Sequence, residues 1–174
     1  QEPAHATWLD SSWQTDAQET SAILASLQPD WLVVDHYALD QRWEETLAPH
    51  YRKLLVIDDL ADRPHRCDLL LDQNLGSQPE HYAPWVPAQV LTGPHYALLR
   101  PEFAALRPYS LQRRQAQPAL RQLLITMGGV DQPNATGKVL QALKTCAFPQ
   151  GIRLTVVMGL TAPWLQNVRE LAAQ

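Results

Sequence analysis

The sequence predicts an α/β protein built on parallel sheets. Two observations carry this. Short apolar runs, Trp31–Val34, Lys53–Ile57, Asp68–Leu71 and Gln89–Thr92, alternate with stretches whose apolar residues recur every three to four positions. The first two runs are continuous rather than alternating, as expected of strands buried on both faces of a parallel sheet. The same alternation then restarts after residues 104–119, where Arg107, Pro108, Arg113, Arg114 and Pro118 leave few apolar side chains.

In order, Thr15 to Leu27 reads as a helix capped by Thr15, with Ala22, Ile23, Leu24 and Leu27 as its apolar stripe and Pro29-Asp30 as its stop. Leu39 to His50 reads as a second helix between the first two strands. Residues 104–119 read as a linker. Beyond them come a strand over 120–127, a polar loop, a helix over 134–146, a strand over 152–158 and a helix over 163–173. The predicted architecture is two Rossmann-like sheets: residues 1–103 in one domain and 120–174 in another. Gln1 stands where a Met would open a gene product, and Gln174 falls inside a helical pattern. Both sheets are therefore expected to be incomplete and the chain to be a fragment.

Composition narrows the function. The chain has 174 residues, 45% of them hydrophobic, and a formal charge of -4, which argues against a nucleic-acid partner held by phosphate neutralisation. No apolar run approaches the ~20 residues of a membrane helix, so no membrane partner is expected. Cys67 and Cys146 lie far apart, and the six histidines form no H-x-H or H-x-x-x-H pair. No metal and no cofactor is therefore expected, and the cysteines read as reduced thiols of a cytoplasmic protein. Nothing in the pattern sets an oligomeric state.

Ligands of open α/β sheets bind outside the carboxyl ends of the strands. The strands run there into Asp35-His36-Tyr37, Asp58-Asp59, Asp72-Gln73-Asn74 and Gly93-Pro94-His95-Tyr96, and the fifth into Gly128-Gly129-Val130-Asp131. Each group also has a plain structural use: Asp35, Asp58 and Asp59 as caps, His36 as a hydrogen-bonded edge histidine, Tyr37 as packing, Asn74 as a turn residue, Arg100 as a partner of Glu102. Their gathering on one rim is what points to a cleft. The junction from Leu123 to Leu143 reads as strand, Gly-Gly turn and helix start, where free N–H groups and the helix dipole suit a phosphate.

Taken in order, Val34-Asp35-His36-Tyr37, Val56-Ile57-Asp58-Asp59-Leu60-Ala61-Asp62-Arg63, Cys67-Asp68-Leu69-Leu70-Leu71-Asp72-Gln73-Asn74, Gly93 to Phe103 and Met127-Gly128-Gly129-Val130-Asp131 resemble the UDP-2,4-diacetamido-2,4,6-trideoxy-β-L-altropyranose hydrolases of pseudaminic acid biosynthesis. The resemblance runs from about Pro29 to Leu160. It implies a two-domain GT-B fold and hydrolysis of a UDP-sugar at its anomeric carbon. It implies a sugar pocket of Tyr37 with Asp35 and His36, joined by Asn74, Tyr96 and Arg100. It also implies a UDP-binding loop of Gly128, Gly129 and Asp131, with Asn134 and Thr136 at the helix start. The family's catalytic histidine sits in a G-x-G-H loop that has no counterpart here. It would lie upstream of Gln1, so no catalytic residue is visible and the chain alone is expected to be inactive. A GT-B glycosyltransferase and a non-catalytic truncated domain are the alternatives. An NAD-binding Rossmann enzyme would need a third glycine after Gly128-Gly129.

Overall fold

The computed structural model describes residues 2–173. The chain divides into two compact units, residues 1–101 and 102–174.

The first unit holds a four-stranded, all-parallel sheet in the order β1-β2-β3-β4, with β1 Trp31–Val34, β2 Lys53–Ile57, β3 Leu69–Asp72 and β4 Gln89–Thr92. Helix α1, Trp13–Leu27, precedes β1, and α2, Gln41–Leu47, joins β1 to β2. The cap of α1 is Ser12, whose hydroxyl accepts the Thr15 N–H at 3.1 Å. Thr15, expected as the cap, lies one turn inside because the helix starts earlier than its apolar stripe. At the other end Gln28 takes a left-handed conformation and Pro29 follows. Asp40 caps α2 by accepting the Arg42 N–H at 2.9 Å. The core gathers Leu24, Val34, Trp43, Leu47, Leu54, Val56, Leu70 and Tyr82 between the two helices and the sheet. Trp43 also donates its indole N–H to Asp16 at 2.7 Å, pinning α1 to α2.

One expectation about β1 fails. Trp31 and Val33 are 47% and 54% exposed, so only the Leu32 and Val34 side of this edge strand is covered. A continuous apolar run is what a strand buried on both faces requires, yet the run itself does not reveal which faces are covered.

Residues Pro101–Ala116 form helix α3, which begins at the last residue of the first unit and is exposed along its length, with Pro108 inside it. The stretch read as a linker is thus helical over most of its span. Its Ala, Leu, Arg and Gln residues are strong helix formers, and Arg113 and Arg114 sit in the last turn, where cations complement the helix dipole. Strands β5, Gln122–Thr126, and β6, Arg153–Val157, pair in parallel. Helices α4, Ala135–Leu143, and α5, Leu165–Ala172, bury Leu140 and Val168 with Ile125 of β5. Among the described residues no helix is long and apolar enough to cross a membrane.

Candidate functional site

The parallel register brings the carboxyl ends of β1, β2 and β3 side by side. A cleft of about 250 Å³ opens there, lined by Asp35, Tyr37, Asp58, Asp59, Gln73 and Asn74, with Ile57 and Leu71 behind. Asp35, Tyr37 and Asn74 thus meet as three residues from two strand ends. His36 sits between Asp35 and Tyr37, but its Nδ1 accepts the Ala38 N–H at 3.1 Å, which uses the ring to close the turn. Tyr96 lies in the short helical turn Pro94–Tyr96 after β4, edge-on to His95 and exposed. Neither it nor Arg100, at the end of this unit, lines the cleft.

The floor of the cleft is a buried polar network. The Asp58 carboxylate accepts the N–H groups of Leu60 and Ala61 at 3.1 and 3.0 Å and pairs with the Arg63 guanidinium at 2.8 Å. Arg63 is itself buried and donates to the Leu39 carbonyl at 2.9 Å. The Tyr82 hydroxyl lies 3.0 Å from the Asp58 carbonyl and 3.0 Å from an Asp72 carboxylate oxygen. Asp72 also accepts the Asn74 N–H at 3.0 Å and the Ser77 hydroxyl. Burial and the two carboxylates push the Tyr82 phenol far above its ordinary value, so it stays protonated and holds the ends of β2 and β3 together.

Asp59, by contrast, is exposed. It accepts a hydrogen bond from the Asn74 side-chain amide at 3.0 Å and lines the cleft with Tyr37. Interaction with Asp59, then burial and the charges of Asp59, Asp58 and Asp35, pushes the Tyr37 phenol up to about 12. Asp59 is therefore the hub of the cleft, a role the sequence did not single out: side by side, Asp58 and Asp59 are equally good turn caps. A second buried pair, Glu44 on α2 and His65, 2.6 Å apart, was likewise missed. Glu44 falls on a helical position that reads as ordinary surface.

In the second unit, Gly128, Gly129 and Val130 follow β5 on an exposed turn, with Gly128 at φ 81. The Gly129 carbonyl accepts the Gly159 N–H at 2.9 Å, tying this turn to the segment after β6. A Cβ on Gly159 would strike that carbonyl, whereas one on Gly129 would meet nothing. The start of α4, which the pattern offered to a phosphate, is filled from within the chain. Asp131 accepts the N–H groups of Ala135 and Thr136, both at 2.8 Å, and Asn134 accepts that of Gly137 at 3.1 Å. The neighbouring Thr136, through its hydroxyl and its N–H, together with the Ala135 N–H, holds the Asp131 carboxyl below its usual range. Thr136 is fully buried. Asp131 and Asn134 thus cap the helix, with the buried Thr136 among the residues they cap, and the glycine turn beside it is exposed.

The fold and cleft define an α/β protein with a polar cleft at the carboxyl ends of parallel strands. No family model matches the chain. It is similar to the UDP-2,4-diacetamido-2,4,6-trideoxy-beta-L-altropyranose hydrolase of Campylobacter jejuni, with 26% identity over 144 residues, 81% of this chain and 48% of the hydrolase. It is also similar to an uncharacterized protein of Methanocaldococcus jannaschii, 23% identical over 140 residues, 78% of this chain and 28% of that protein. The chain spans about half the length of the first relative and just over a quarter of the second. The named relative is a hydrolase, and the likeness to it is distant.

Proposed function

We propose that this chain is part of a nucleotide-sugar hydrolase that cleaves a UDP-sugar at the anomeric C–O bond, releasing UDP and the free 2,4-diacetamido-trideoxy sugar of pseudaminic acid biosynthesis. The observation that carries the reading is the meeting of Asp35, Tyr37 and Asn74 in one cleft, in a chain distantly similar to such a hydrolase. In this reading the cleft holds the sugar. Its carboxylates accept hydroxyl and amide protons, and their charge keeps the diphosphate out. The diphosphate falls to the Gly128-Gly129 turn, whose exposed backbone gives it close approach, while Asp131 and Asn134 shape that turn by capping α4.

UDP is a good leaving group, so the chemistry needs chiefly a base for the attacking water and donors for the departing charge. A positioned base contributes ~10²–10⁴-fold, and backbone donors stabilise developing phosphate charge without a metal. The glycine turn supplies donors, and the reading assigns the base to a histidine outside these residues. Calorimetric titration with UDP and with NAD tests the nucleotide class. Saturable binding of UDP with none of NAD is the expected result; the reverse preference would replace this reading by a dinucleotide-binding one.

A further inference from the structure

We propose that Asp59 is the specificity-determining residue of the cleft, its carboxylate accepting a hydrogen bond from an O–H or N–H donor on a ligand with a sugar-like ring. This rests on the nucleotide-sugar reading above, and it follows from where the cleft's hydrogen bonds are already spent. The Tyr37 hydroxyl has one proton, and Asp59, in the same lining, is the neighbour that most strongly holds it there. The Asn74 amide donates to Asp59 Oδ2 at 3.0 Å, which leaves its Oδ1 as an acceptor. Asp35 offers acceptors alone, and Asp58 is closed off by Arg63 and by the backbone beneath it. Gln73 has its oxygen occupied by the Leu98 N–H at 2.8 Å, so the donors this lining retains are its amide nitrogen and the second N–H of Asn74. A carboxylate has about four acceptor sites, so Asp59, with the Asn74 donor held, has room for a ligand's. A cleft of this composition reads a ligand by its donors and repels anionic groups.

A separate feature borders the same wall. Trp8, more than half exposed, packs edge-on to Tyr37 at 5.8 Å, and His5 lies 5.6 Å from Tyr37 and 4.6 Å from Trp8. These rings come from the segment before α1, and they set an apolar surface beside the acceptors. A ligand bearing both donors and a C–H face matches the two together, and a pyranose is such a ligand.

The test titrates the 174-residue chain with UDP, UDP-N-acetylglucosamine and UDP-glucuronic acid, following backbone amide shifts. The acetamido sugar is expected to shift Asp59 and Asn74 and to bind about tenfold tighter than the uronic acid, the scale of one like-charge repulsion near a protein surface. Asp59→Asn is expected to cut that ratio to about twofold; a ratio is insensitive to any loss common to both sugars. If the variant fails to fold, as its amide spectrum would show, the wild-type ratio decides. Equal affinities for the two sugars, or an unchanged ratio in a folded variant, would overturn the role of Asp59 while UDP binding kept the nucleotide reading in place. No binding by any of the three would overturn both.

Discussion

Asp131 at the start of α4 gives a charge whose pH dependence can be worked out. Its carboxylate takes two N–H groups of α4 and its pKa is lowered by them. A carboxyl whose folded value lies below its unfolded value, about 3.9, contributes stability in full above that value. The contribution is lost as pH falls through the lower, folded value. Asp131→Asn is expected to lower the melting temperature at pH 7, with the gap to wild type narrowing below about pH 4; a gap independent of pH would rule out this charge. The two free cysteines give a second residue-scale expectation. Burial, then the charges of Glu44 and Asp68, pushes the Cys67 thiol up to about 12, whereas Cys146 is exposed. A thiol reagent at pH 8 should modify Cys146 quickly and the partly buried, raised-pKa Cys67 far more slowly; equal rates would contradict the protection of Cys67. At this scale the sequence located Asp35, Tyr37 and Asn74, because a polar residue directly after an apolar run marks a strand end. It could not separate Asp59 from Asp58. Their opposite roles depend on which carboxylate turns toward Arg63, Leu60 and Ala61 and which toward Tyr37 and Asn74, and that is a tertiary fact.

Among the elements, the glycine turn after β5 makes the sharpest contrast. Gly129 has open space where a side chain would go, and Gly159 has the Gly129 carbonyl there. Gly159→Ala should therefore displace the turn and lower the melting temperature, while Gly129→Ala should leave it near wild type. The opposite order of stabilities would refute the close approach of the two segments. All six strands were legible as short apolar runs, to within a residue or two at their ends. α3 was not. Pro108 and Pro118 are strong breaking signals, and they outweighed the helix-forming residues around them. The exposed side of β1 was hidden for a different reason: a strand's own residues do not state what covers them.

For the whole molecule, the chain holds the cleft and the glycine turn in separate units, each with its own core. Under the proposed function these are binding groups without the base. Groups that act together in catalysis are not removed singly without losing most of the rate, so the 174-residue chain is expected to release UDP from a UDP-sugar at no more than the background rate. Turnover well above background would place the base within the chain, with His36 the first residue to test.

The central claim is that this chain binds the diphosphate of a UDP-sugar at the Gly128-Gly129 turn. Calorimetric titration of UDP into the wild-type chain and into Gly129→Val tests it most directly, because a Cβ there meets no protein atom within 4 Å, so the added bulk faces an approaching ligand. The account predicts a folded variant whose UDP affinity falls at least tenfold. A folded variant with wild-type affinity would contradict it.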